Sequence, residues 1–218
     1  SPALYVRGII ERNYMDRTYV KSLYASAASF DGAEVLIRGW ARTVRDGKNF
    51  GFIELNDGTC QKNCQVVLER EKLADYENIV HCGVGAALSV RGKVLLTPEM
   101  RQPFELHAEE VIIDGASLPS YPLQKKHHSA EFLREIAHLR PRTNLFGAVF
   151  RIRSQAAFAI HKFFNERGFV YVHTPIITGS DCEGAGAMFR VTTLEPGETD
   201  LSKDFFGKRA ALTVSGQL

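Results

Sequence analysis

The stretch RGFVYVHTPIIT, residues 167–178, decides how the second half of this chain is read. Gly168 can take the left-handed conformation that ends a helix, and Phe169, Val170, Tyr171 and Val172 then read as a buried strand stopping at Pro175. Upstream, Thr143 is placed to cap a helix along which Leu145, Val149, Ile152, Ala156, Ile160 and Phe163 recur at helical spacing, with Arg151, Arg153 and Lys162 between them. That pattern predicts one long helix with a buried apolar stripe and a basic outer face. Downstream, SDCEGAGAMF (180–189) reads as an acidic loop hinged on Gly184 and Gly186, which lack a Cβ. Such a loop can close over a ligand, with Glu183 facing an ammonium group and Met188 and Phe189 anchoring the far end. The bland readings, a core helix packed on a sheet and a solvated surface loop, fit these residues as well.

Moving toward the N-terminus, residues 115–143 form a hinge with Pro119, Pro122 and Pro141 and with Lys125, Lys126, Arg134, Arg140 and Arg142 against Glu131 and Glu135. Ser129 is placed to cap a short helix that ends before Pro141. A basic hinge of this kind can meet nucleic-acid phosphates or can be a solvated linker. Before it, the hydrophobic period changes to two. EVLIRGWARTV, NFGFIELND, NCQVVLE, AALSVRGKVLL and FELHAEEVIID read as five strands, with a turn at Asp57-Gly58 and a helix over EREKLADYENIVH between the third and fourth. Five strands with a helix after the third predict an OB-fold barrel over 34–114, whose second and third strands form the usual oligonucleotide face. Phe50 and Phe52 alternate with Gly51 and Ile53, so both rings point to one side, with Gln65 on the next strand. Arg42 and Arg45 follow Trp40 on the first strand, and Lys48 and Asn49 sit in the turn. Two aromatics on one side are commonly core, but with cations and an amide beside them they also suit a splayed RNA base. Residues 1–33 are expected to cap the barrel through a weak helical stripe of Tyr19, Leu23, Tyr24 and Ala27.

The chain has 218 residues, 44% hydrophobic and 24% charged, with room for two modest cores. The net charge of +2 makes no global case for nucleic acid, which must rest on where the cations lie. No apolar run approaches the ~20 residues that span a bilayer, and an intracellular, cytoplasmic protein is expected, with an organelle as the alternative. Arg7, Arg12 and Arg17 hint at a transit peptide, but Glu11 and Asp16 argue against one, and Met15 could be a natural start. Cys60, Cys64, Cys82 and Cys182 are read as reduced structural thiols, and His127-His128 as a solvated basic surface; no metal site is expected.

Five runs then carry a family resemblance: AHLRPRTN (137–144), FFNERGFVYVHTPIIT (163–178), SDCEGAGAMFRVTTL (180–194), DFFGK (204–208) and LTVSGQL (212–218). Together they resemble the asparaginyl-tRNA synthetases, over roughly 34–218. RGFVYVHTPII is similar to motif 1 of the class II synthetases, with Pro175 as its signature. The fold this implies is α+β: an OB-fold anticodon-binding barrel, a hinge over 115–143, and over 144–218 the beginning of an antiparallel class II catalytic domain. SGQL, where aspartyl enzymes show Ser-Pro-Gln, and DFFGK favour asparagine over aspartate.

What the resemblance implies follows residue by residue. Phe52 is expected to stack the central anticodon base, with Phe50 as the alternative, and Gln65 to recognise that base. Glu183 is expected to hold the amino group of asparagine, and Ser215 and Gln217 to touch the amino acid. Motif 1 implies a homodimer whose interface includes Phe164 and Pro175. The implied reaction joins asparagine to tRNA(Asn) through an asparaginyl adenylate made from ATP with Mg2+. The arginines and acidic residues that handle ATP and magnesium belong to motifs 2 and 3, which do not occur in these 218 residues, so this chain alone is expected to be inactive. Ala187 stands where the family has glutamate. The alternatives are a non-discriminating aspartyl enzyme and a non-catalytic RNA-binding protein built from the same parts.

Overall fold

The computed structural model describes residues 16–180 and 188–216. It divides into two compact units, 1–153 and 154–218.

The first unit is built on the five strands read from the sequence: β1 (Glu34–Arg45), β2 (Phe50–Asn56), β3 (Cys64–Glu69), β4 (Ala87–Leu96) and β5 (Phe104–Gly115). They close in the order β1-β2-β3-β5-β4, every pair antiparallel except β3 with β5. Closure removes the free edges that a flat five-stranded sheet would expose. The alternation in β2 is reproduced as burial: Gly51, Ile53 and Leu55 point inward, and Phe50, Phe52, Glu54 and Asn56 outward. Ile53, Leu55, Val66, Leu68, Val90, Phe104 and Leu106 fill the interior. β4 and β5 slip register between Arg91 and Gly92, and a Cβ at Gly92 would run into the carbonyl of His107. Only glycine allows the two strands to cross so closely there.

One end of the barrel is plugged by α1 (Val20–Ala25), whose Val20 and Leu23 are fully buried. Asp57 holds it: its buried carboxylate accepts from Val20 N at 2.8 Å, and from Thr59 N at 2.9 Å and Thr59 Oγ1 at 2.7 Å. Of the segment expected as a cap over 1–33, residues 1–15 lie outside the described residues; in the rest, α1 is followed by a 3-10 turn over Ala27–Phe30. Between β3 and β4 the helix is shorter than its pattern suggested. Glu69 completes β3, residues 70–75 turn, and only α2 (Tyr76–Val80) is helical. Leu73, Tyr76, Ile79 and Val80 nevertheless bury the apolar positions.

After the barrel, Ser129 caps α3 (Ala130–Glu135) by accepting from Phe132 N at 3.2 Å. Leu123, Leu133 and Phe146 make a second small core with Tyr121, Phe132, Ile136 and Leu139, so the hinge is a packed element. Thr143 Oγ1 accepts from Phe146 N at 3.4 Å and begins the long helix α4 (Asn144–Asn165). Gly168, at φ +82°, ends it as the sequence predicts, with Phe169 N donating back to Phe164 O at 3.1 Å.

Two expectations for the second half need correction. The apolar stripe of α4 is not buried: among its residues only Phe146 is, whereas Leu145, Ile152, Phe158, Ile160 and Phe163 are at least half exposed. Residues 169–172 form no strand and are also exposed. Periodicity reports a face suited to burial, but burial needs a partner, and the described residues supply none. The described sheet of the second unit joins β6 (Ile177–Thr178), β8 (Ala210–Leu212) and β7 (Arg190–Val191) in the order β6-β8-β7, all antiparallel. Asp204 holds its turns together, accepting from Thr192 Oγ1 at 2.7 Å and from Thr193 N and Phe205 N at 2.9 Å each.

Candidate nucleic-acid interface

The outer face of the barrel gathers residues from four strands. Phe52 on β2 lies opposite Arg45 on β1 and Val67 on β3, and Val67 lies beside His107 on β5. Phe50 is 47% exposed. Phe52 is half-buried, and the guanidinium of Arg45 sits 5.9 Å from its ring centroid. Two rings and a cation on one face can stack bases and meet the phosphate between them. Gln65 faces outward on β3, opposite Glu54. Its Nε2 donates to Glu105 Oε1 at 2.8 Å, and Gln102 Nε2 donates to the same oxygen at 3.0 Å. His107 stands between two carboxylates, 3.7 Å from Glu69 and 3.9 Å from Glu105.

The loop between β1 and β2 is braced from behind. Arg70 donates to Asp46 Oδ1 at 3.0 Å, to Lys48 O at 3.1 Å and to Glu77, and lies over the Tyr76 ring. Tyr76 Oη donates to Asp46 Oδ1 at 2.8 Å, and this bond, with the nearby Arg70 charge, holds that carboxyl below its usual range. The 46–49 loop beside the aromatic pair therefore has defined anchors.

Arg42, which the sequence groups with Arg45, lies elsewhere. It sits at the β-bulge of β1 between Ala41 and Thr43, and its guanidinium donates to Arg142 O and, at 3.4 Å, to Asn144 Oδ1. Burial there draws its pKa down. A bulge re-aims one side chain off the regular alternation, which is why period-two reasoning misplaces it. Arg142 lies over Trp40, 5.0 Å from the ring centroid, and Arg151 donates to the carbonyls of Gly58 and Thr59. These arginines fasten the hinge and the first turns of α4 to the barrel. Between them lies a cleft of about 830 Å³ whose lining includes Trp40, Arg42, Asn56, Gln61, Lys125 and Arg142. Lys125, Lys126 and His127 are exposed at it, whereas His128 is tied to Pro122 O at 3.0 Å and stacked on Phe132.

Of the residues assigned to the amino acid, Glu183 and Gln217 lie outside the described residues. Ser215 N donates to Thr213 Oγ1 at 3.2 Å in a turn after β8. Pro175 is exposed, and Phe164, 48% exposed, packs edge-on against Phe163 and Phe169. Sequence reasoning missed Glu105 and His107. The signal was available, because FELH puts both on one side of a strand, but only the parallel pairing of β3 with β5 sets that side beside Gln65.

The family described as the OB-fold nucleic acid binding domain matches residues 35–114, and tRNA synthetases class II (D, K and N) matches 129–218. The chain belongs to these class II tRNA synthetases. Within the class it is similar to asparagine-tRNA ligases: 59% identical over 212 residues to that of Acetivibrio thermocellus and 56% to that of Alkaliphilus oremlandii. Each alignment covers 94% of this chain and 46% of the relative, so the chain spans about half the length of the curated relatives it matches. The same fold is seen in asparaginyl-tRNA synthetase of Pyrococcus horikoshii complexed with asparaginyl-adenylate. The TM-score is 0.76 at 22% identity, over 93% of this chain and 43% of that one. A putative aspartyl-tRNA synthetase of Leishmania major gives 0.72 at 19% identity, over 94% and 39%.

Proposed function

We propose that this chain is the anticodon-reading portion, with the opening of the catalytic domain, of an enzyme that joins asparagine to tRNA(Asn) in the cytoplasm. The observation that carries asparagine is the 59% identity to an asparagine-tRNA ligase, in an alignment that covers 94% of this chain. Phe52, with Phe50 beside it, stacks the central anticodon base, Gln65 reads its edge, and Arg45 meets the adjoining phosphate. Codons for Asp, Lys and Asn all have adenine at the centre, so the three tRNAs share a central uridine. One reading residue at that position therefore suits the whole class. Arg42 acts on the hinge, not on the anticodon. The barrel over 34–114, the hinge over 115–143 and the catalytic segment from 144 act as successive parts.

Glu183, Ser215 and Gln217 form the protein's side of the amino-acid site. Two copies pair through the uncovered faces of α4 and the Pro175 segment, including Phe164. ATP and Mg2+ enter through the class. Among the described residues no cluster of His, Cys, Asp and Glu fits a metal ion, and no chemical step is assigned to them.

The test is pyrophosphate exchange with ATP on the product of the complete reading frame, with asparagine and aspartate in parallel. Asparagine-driven exchange is expected, with Ala187 tolerated in the loop. Aspartate-driven exchange would move the protein to the non-discriminating aspartyl enzymes, and no exchange with either would leave an RNA-binding protein.

A further inference from the structure

We infer that Arg151 is a positioning residue for the transfer of the amino acid to tRNA: it pins the first turns of α4 to the barrel, so that a tRNA held by its anticodon delivers its 3′ end in register. This rests on the proposed function. The seam lies wholly within the first unit, which ends at residue 153. Arg151 is on the exposed basic face of α4, where a guanidinium is ordinarily solvated, yet it donates to Gly58 O and, at 3.3 Å, to Thr59 O. Those carbonyls belong to a loop that is itself braced. Across it Asn56 Nδ2 donates to Lys62 O at 3.2 Å and to Asn63 Oδ1 at 2.9 Å, Gly58 N donates to Asn56 Oδ1 at 2.9 Å, and Asp57 ties the loop to α1. A planar fork on two fixed acceptors sets distance and angle together. One turn earlier on the same face of α4 is Gly147, where a Cβ would lie 3.2 Å from Pro141 O and 3.3 Å from Gln61 Nε2. Helix and loop therefore meet with little room for a side chain. On the other flank Arg42 reaches from the β1 bulge to Arg142 O and, at 3.4 Å, to Asn144 Oδ1. Two separate parts of the barrel thus hold the start of α4 at three points.

The consequence concerns one half of the reaction and not the other. A tRNA offers two ends to one protein, so engagement of the second end is intramolecular, and its effective concentration depends on how well the connection between the two sites matches their span. A proline-punctuated segment free to swing would spread the second site over many positions. A seam anchored at three points restricts it to few. In the transfer step a hydroxyl of the 3′-terminal adenosine attacks the acyl carbon of the adenylate, the ester C–O bond forms, AMP leaves with the electron pair of the broken bond, and the hydroxyl proton passes to solvent. Such a step is sensitive to placement, since a misplacement of about 1 Å remote from the chemistry can cost ~100-fold. Activation of the amino acid by ATP involves no tRNA and is indifferent to the seam.

The experiment compares wild type, R151A, R151K and G147L in the complete protein by three measurements: pyrophosphate exchange with asparagine, Kd for an anticodon stem-loop RNA, and single-turnover transfer to full-length tRNA at saturation. R151A and G147L are expected to slow transfer by about 10- to 100-fold while exchange and stem-loop Kd stay within about twofold of wild type. R151K, whose ammonium can still donate to both carbonyls, is expected to recover part of the loss. G147L is the sharp test, because it wedges the seam open without removing a cation. If R151A instead weakens tRNA binding, lowers the salt slope by about one and keeps transfer at saturation, while G147L behaves as wild type, Arg151 meets a phosphate and the positioning role is overturned. Transfer unchanged in both variants overturns it as well, and so does exchange that falls as far as transfer, which would be general damage to the fold. Should G147L not fold, R42A opens the same seam from β1 and must share the selective loss of transfer; wild-type transfer there overturns the inference. Wild type that exchanges with neither asparagine nor aspartate sinks the proposed function, and the inference with it.

Discussion

At the residue scale, Phe52 and Phe50 show how little a side chain's type reveals without its surroundings. A phenylalanine on a strand belongs by default inside, and these two are outside because Ile53 and Leu55 already occupy the inner positions of β2. Stacking contributes ~1–3 kcal/mol per base, so F52A is expected to weaken anticodon stem-loop binding by roughly 5- to 150-fold. F50A should cost less if Phe52 is the stacker, and a titration of both variants with the same RNA ranks them. Asp57 carries the opposite kind of role, structural and buried. Its removal leaves the donors of Val20 N and Thr59 without their acceptor, and D57A is expected to destabilise the barrel by about 2 kcal/mol, read as a lowered urea midpoint at unchanged slope. A further residue-scale effect is pH-dependent. The donors around Asp204, Thr193 N and Thr192 Oγ1 first, pull its carboxyl down to about 2. Because the folded value is depressed, the stability it contributes is present above pH ~4 and lost as pH falls from there toward 2. Acid unfolding followed through the second unit in wild type and D204N should show that window only in wild type.

Elements carry the next level. The hinge reads from sequence as a proline-punctuated basic linker, and its helix start at Ser129 is legible because capping chemistry is local. Its attachment to the barrel is not, since Arg42 reaches Arg142 and Asn144 across about a hundred residues from a bulge that no period announces. R42A is expected to leave the barrel folded and to raise amide exchange through the 121–146 segment, at a cost of about 1 kcal/mol after allowing for its partial exposure. If exchange there is unchanged, the arginine contacts do not hold the hinge. The short α2 teaches the same point from the other side. Its pattern over 69–81 is sound, but Glu69 is already committed to β3, and tertiary pairing overrides local propensity.

For the whole molecule, the informative observation is apolar surface without a cover. Phe158, Ile160, Phe163, Phe169 and Val170 are each at least half exposed, a pattern that single scattered residues do not make. On the proposed pairing of two copies, F158D with I160D in the complete protein is expected to shift sedimentation from dimer to monomer at micromolar concentration. A dimer that persists would place the interface elsewhere. What the amino-acid sequence determined by itself was everything that depends on neighbours in the chain. The strands of the barrel fall within a residue of their expected limits, both helix caps at Ser129 and Thr143 form, and the helix ends at Gly168, because alternation, capping and left-handed glycine are local physics. Tertiary structure alone decided which residues far apart in sequence share a site. Parallel pairing of β3 with β5 set Glu105 against Gln65, and a bulge turned Arg42 away from Arg45 toward the hinge. It decided also that the stripe of α4 is left uncovered among the described residues, since a hydrophobic period states that a face is to be buried and not by what.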